Sequence, residues 1–179
     1  VALDEAQRHD GREKFIQLAL ADTDRRVTEG KAVAPSFMLA CMLWHDVLDG
    51  WQKLKAKGEA PFPALQQAVD TVFDARIGDI SGRGKLGADM REIWLMQTRF
   101  ERRQGNSVAT LIEQPRFRAG FDFLRLRGDA GEIDAELANW WEDFSQADEE
   151  GRRKLLDAVR TQGGPRRVRS STPRVAAIP

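Results

Sequence analysis

Pro35-Ser36-Phe37-Met38-Leu39-Ala40-Cys41-Met42-Leu43-Trp44-His45-Asp46-Val47-Leu48-Asp49-Gly50-Trp51-Gln52-Lys53-Leu54 is the stretch that decides the fold. Trp44, Val47, Leu48, Trp51 and Leu54 recur every three or four residues, which is the period of one face of an α-helix and not of a strand. Pro35 sits where a first helical turn tolerates proline, and Gly58 supplies the stop. The same punctuation continues on both sides. Upstream, Phe15, Ile16, Ala19 and Leu20 mark a helix over about 11–29, closed by Gly30. Downstream, Pro61 and Pro63 open a third through Leu65, Ala68, Val69, Val72 and Phe73. Residues 78–87, GDISGRGKLG, read as a glycine-rich loop.

A fourth helix is expected from Ala88 to Gln104, with Gly105 as its stop and Met90, Ile93, Trp94, Gln97 and Phe100 on one face. Arg91, Arg99, Arg102 and Arg103 fall on the other side. Asn106 or Ser107 can cap a short helix that ends before Pro115. Phe117, Phe121 and Leu124 stripe the next one, and 132–144 and 149–160 supply two more. Trp140-Trp141 stand about 100° apart on their helix, so one of the pair is expected at an interface. The fold class is therefore all-α, with seven to eight packed helices over 1–161. The remainder, 162–179, shows no periodicity and reads as a disordered basic tail.

The chain has 179 residues, 41% apolar and 31% charged, enough for one domain with a core. It holds no apolar run of membrane-spanning length, and its alternating charges before Phe15 are unlike a signal peptide. It begins at Val1, as a fragment or processed product would. Cys41 is alone in an apolar run, which excludes a disulfide scaffold and points to the cytoplasm.

A formal net charge of zero hides segregated blocks. Residues 1–82 carry ten basic and thirteen acidic groups; 83–127 carry ten and five; 128–151 carry nine acids and no base; 152–179 carry eight bases against Asp157. A polyanion responds to such local fields, not to the total.

Gly82-Arg83-Gly84-Lys85-Leu86-Gly87 matches GxGxxG, but the dinucleotide fingerprint needs a strand before it, and Val69–Asp79 reads as helix. What remains is Arg83 and Lys85 at a helix N-terminus, a combination that favours anions. His9-Asp10 and His45-Asp46 suggest a metal phosphohydrolase, yet these are the two histidines of the chain, and such centres need more ligands. No nucleophile–histidine arrangement can be built for the same reason. The arginines are the remaining constellation. Arg99, Arg102 and Arg103 lie at i, i+3 and i+4; Arg116 and Arg127 share one side of the helix after Pro115, and Arg118 and Arg125 another. Arginine suits bidentate phosphate contacts and stacking on bases.

Leu20-Ala21-Asp22-Thr23-Asp24-Arg25-Arg26, Pro35-Ser36-Phe37-Met38-Leu39-Ala40 with Leu43-Trp44, and Arg91-Glu92-Ile93-Trp94-Leu95-Met96-Gln97 with Arg102-Arg103-Gln104-Gly105 occur in this order. Gln114-Pro115-Arg116-Phe117-Arg118-Ala119-Gly120-Phe121-Asp122-Phe123-Leu124 and Trp140-Trp141-Glu142-Asp143-Phe144 follow. The ordered set, over about 12–145, resembles the C-terminal helical portion of bacterial poly(A) polymerases, nucleotidyltransferases related to CCA-adding enzymes. The resemblance implies polyadenylation of RNA 3′ ends from ATP, with a divalent ion held by a separate catalytic head. That head's Gly-Ser turn and Asp-x-Asp pair are not matched here, since Asp22-Thr23-Asp24 falls within the helical pattern. The expectation is an RNA-binding region that lacks the head and its ATP and Mg and has no cofactor or catalytic residue of its own. Its expected RNA contacts are Arg83, Lys85, Arg91, Arg99, Arg102, Arg103, Arg116, Arg118, Arg125 and Arg127. The expected partners are RNA, the head of the same polypeptide and RNA-decay proteins, with no membrane. The alternative is a structural or protein-interaction region that docks on the head or on decay proteins.

Overall fold

A computed structural model describes residues 5–77 and 84–161, with side chains defined outside 5–8, 76 and 77. Within them the chain forms α1 (Glu5–Thr28), α2 (Pro35–Ala56), α3 (Pro61–Val72) with a π-helical turn at Phe73–Ile77, α4 (Lys85–Arg99), α5 (Asn106–Ile112), α6 (Phe117–Asp129) and α7 (Ala135–Gln146). A further helix, α8, spans 149–161. No strand is found among the described residues, so the all-α expectation is met. The expected tail and Arg83 lie outside them.

The turns follow from local chemistry. Gly30 (φ 80°) and Gly58 (φ 99°) adopt the left-handed conformation that ends α1 and α2. There Lys31 N–H reaches back to the Arg26 carbonyl at 2.8 Å, and Glu59 N–H to that of Leu54 at 3.2 Å. Pro35 and Pro61 open α2 and α3, where a missing N–H costs nothing. α7 has a side-chain cap, Asp134 accepting from Glu136 N–H at 3.0 Å.

Two apolar cores share α4 and α6. In the first, Trp44, Val47 and Trp51 of α2 meet Phe15, Leu65, Val69, Trp94 and Phe123. In the second, Phe100, Leu111, Phe117, Phe121, Leu124, Trp141 and Phe144 pack together, with Leu155, Leu156 and Val159 of α8 against them. Each such fully buried side chain contributes about 1.5–3 kcal/mol by leaving water. The close approach of α4 and α6 depends on Gly120, where a Cβ would lie 2.2 Å from Met96 Sδ.

Three expectations are corrected. α4 begins at Lys85, inside the expected loop, and ends at Arg99 rather than Gln104. It stops because the Phe100 ring turns into the second core while the Phe100 carbonyl accepts from Trp141 Nε1 at 2.7 Å. Gly105 (φ 68°) consequently precedes α5 as its cap, with no side-chain capping bond from Asn106 or Ser107. Trp140 and Trp141 are both buried, at 9% and 0% exposure. α8 residues pack against this core as well, so the helix buries more than one face.

Candidate nucleic-acid interface

Most arginines of the basic block are tied into the fold. Arg127 is 3% exposed. Its Nε donates to Glu132 at 2.8 Å, Nη1 donates to Gln97 at 3.1 Å, and the guanidinium lies 5.0 Å from the Trp44 ring. Gln97 in turn donates to the Ile93 and Gly120 carbonyls, and Glu132 accepts from Trp44 Nε1 at 2.7 Å. This network joins α2, α4 and α6 from within, and Arg127 therefore presents no cation at the surface. Arg116, expected to share a helix face with it, caps α6 from outside the helix and pairs with Asp89 at 2.7 Å.

Lys85 reaches the same Asp89 at 3.1 Å. Partial burial opposes the Asp89 charge, but the Lys85 hydrogen bond and the Arg116 charge outweigh it and hold the carboxyl below its usual range. Arg91 pairs with Asp70 at 2.6 Å over the Phe73 ring. Arg118 and Arg125 do share a face, bracketing Phe121 at 5.2 and 5.7 Å. Arg118 is paired with Asp122, and Arg125 with Asn139 and Glu142.

Arg99, Arg102 and Arg103 behave differently. The early end of α4 breaks the expected single face: Arg99 is the last helical residue and the other two lie in the turn beyond it. No ion pair engages any of the three among the described residues. Arg102 and Arg103 line a groove of about 1480 Å³ between this turn, α5 and α8. α8 brings Arg152, Arg153 and Arg160 to the same groove. Arg152 donates to the Phe144 and Ser145 carbonyls, closing the end of α7, and Arg160 pairs with Asp157. Arg153 is exposed without such a partner. Arg103 lies 5.7 Å from the Trp140 ring. Three arginines from a turn and a distant helix thus face one groove whose wall includes Ile112, Phe144 and Leu156.

The arginine-rich sequence that supplies this groove is similar to known proteins. The family model described as "Polymerase A arginine-rich C-terminus" matches residues 57–174. The chain belongs to this family. It is 34% identical to "Poly(A) polymerase I" of Salmonella typhi over 162 residues, 88% of this chain and 35% of that protein. The Poly(A) polymerase I of Escherichia coli O157:H7 is 32% identical over 169 residues, 92% of this chain and 36% of the relative. That of Haemophilus influenzae is 31% identical over 146 residues, covering 80% and 32%. The chain spans about a third of the length of these relatives.

For a polymerase A arginine-rich C-terminus, the other sequence motifs have ordinary structural places. His45 is half-buried edge-on to Phe15, and Arg12 binds Asp46 at 3.0 Å. His9 is exposed on α1 beside Glu13. Asp22 is taken up by Arg25 and Arg26. Among the described residues no three His, Cys, Asp or Glu gather as metal ligands would. No described helix is long and apolar enough to cross a membrane.

The groove arginines not among the sequence expectations are Arg152, Arg153 and Arg160. Their signal was the basic start of the 152–179 block, but only the packing of α8 on the second core shows that they face Arg102 and Arg103.

Proposed function

We propose that this chain is the RNA-holding helical region of a bacterial poly(A) polymerase, a cytoplasmic enzyme that adds adenylates to RNA 3′ ends. Adenylyl transfer, with ATP and Mg, belongs in this reading to a catalytic head elsewhere in the same polypeptide; this chain grips the RNA and turns nothing over. The observation that carries it is the groove in which Arg102, Arg103 and Arg153 converge without intramolecular ion pairs. Glu101, Glu149 and Asp157 line the same groove, but guanidinium groups without an ion pair beside Ile112, Phe144 and Leu156 suit a strand whose phosphates are charged and whose bases are not.

The test is titration of labelled single-stranded RNA with the purified chain across a range of salt. Each neutralised phosphate contributes a slope of roughly −0.7 in log K against log salt, so three to five engaged cations give about −2 to −3.5. Reversing Arg102, Arg103 and Arg153 to Glu together should weaken binding and flatten the slope, with helicity unchanged. The arginines Arg166, Arg167, Arg169 and Arg174 bind any polyanion by charge, so a chain ending at 161 is the control.

A protein-interaction role has one observation of its own. Leu20 and Val27 on α1 and Leu39 and Met42 on α2 are exposed apolar side chains, 36% to 61% accessible. If removing residues 162–179 abolishes RNA binding and the groove reversal changes nothing, docking on the catalytic head or on an RNA-decay protein becomes the better account.

A further inference from the structure

Phe62 is 41% exposed at the first turn of α3, between Pro61 and Pro63. Its two neighbours lock their own φ near about −65°, and Trp51 Nε1 donates to the Pro61 carbonyl at 3.0 Å, anchoring the turn to the first core. The ring is thus carried on stiff backbone, and a ligand that stacks on it has little freedom to remove.

Phe62 lines a cleft of about 680 Å³ with Leu95, Met96, Arg99, Gln114 and Arg116. That size is right for one small organic group, since ligand pockets run from about 300 to 1,000 Å³. Arg116 and Lys85 share Asp89 at the rim, which leaves Arg99 as the cation without an ion pair. An exposed aromatic, an apolar floor, amide and carboxylate edges from Gln114 and Glu92, and an uncommitted guanidinium are the complement of a base joined to a phosphate. Arg99 and Arg102 stand on either side of the turn that separates this cleft from the arginine groove. Their Cα atoms are at most ~11 Å apart along the chain, so a strand held in the groove can reach the cleft.

We propose that the cleft formed by Phe62, Leu95, Arg99 and Gln114 is a subsite for one unstacked nucleotide of single-stranded RNA, with its base on Phe62 and its phosphate at Arg99. The proposal rests on the RNA-holding role above and adds a place where a base is removed from its neighbours. Stacking is an uncharged contact and the phosphate contact a charged one, and this separates the two by salt dependence.

The experiment uses the full 179-residue chain and a short labelled RNA oligonucleotide, unmodified or abasic at one position in turn. Phe62→Ala should weaken binding about fivefold or more and leave the salt slope unchanged. Arg99→Gln should flatten the slope by about 0.7, one phosphate contact. One abasic position should cost the parent chain the same factor as Phe62→Ala and cost the Phe62→Ala chain nothing further. Circular dichroism confirms that both variants stay folded. If the groove reversals weaken binding while Phe62→Ala and Arg99→Gln do not, the subsite is overturned, the RNA-holding role stands, and the cleft faces a protein instead. If the parent chain binds no RNA, both fall.

Discussion

Arginines are used in opposite ways on the two sides of α4. Toward α2 and α6, Arg127 is buried with Glu132, Gln97 and Trp44, and Arg91, Arg118 and Arg125 each have a carboxylate partner. At the end of α4 and in the turn after it, Arg99, Arg102 and Arg103 have none among the described residues, and neither does Arg153 on α8. The residue type is the same, so abundance of arginine says little about role. Where a carboxylate lies within ion-pair reach the guanidinium becomes structure; where none does, it stays available.

The largest effect should come from breaking the inner side. Arg127→Met leaves Glu132 charged and largely buried, and loss of one partner of such a pair costs about 3–5 kcal/mol. Thermal unfolding should show a drop of that size, with RNA affinity per folded molecule unchanged. Adding Glu132→Gln, which keeps an acceptor for Trp44 Nε1, should recover part of it.

The contact between the halves gives the next effect. Gly120→Ala drives a methyl into Met96 Sδ, and overpacking of this kind costs about 1–3 kcal/mol. Met96→Ala in the same chain should relieve the clash, a coupling that denaturant titration of the single and double variants would measure.

On the outer side, Arg153→Glu touches no intramolecular partner, so its stability change should stay within about 0.5 kcal/mol. RNA affinity at low salt should nevertheless fall, with the slope flattening by about 0.7. An Arg153→Glu chain that unfolds readily yet binds RNA normally would reverse the comparison.

The smallest effect is a pH dependence on the inner side. Burial holds the His45 imidazole below its ordinary range, against the pull of the Glu132 carboxylate. The unfolded chain takes up this proton near pH 6.5 and the folded chain only at lower pH. Stability from neutral His45 is therefore complete above about pH 6.5 and declines as pH falls below it. Melting temperatures measured downward from pH 7.5 should decline less in His45→Gln than in the parent chain. An equal decline in both would remove His45 from the account.

The sequence by itself determined the helices, their apolar faces and the family. Met90, Ile93, Trp94, Gln97 and Phe100 share one helical face at 3.6 residues per turn, and all five are buried. Such periodicity is local, and the glycine and proline stops at Gly30, Pro35, Gly58 and Pro61 are local too, so both can be read along the chain. What only the tertiary structure decided is which cations are free. An arginine's availability depends on whether a carboxylate from elsewhere in the chain lies within ion-pair reach, as Asp70 does for Arg91 and Glu142 for Arg125. The end of α4 was hidden for the same reason, because the hydrogen bond from Trp141 to the Phe100 carbonyl links residues 41 positions apart. That turn separates Arg102 and Arg103 from Arg99 and sets them facing Arg153, an arrangement no spacing along the sequence encodes.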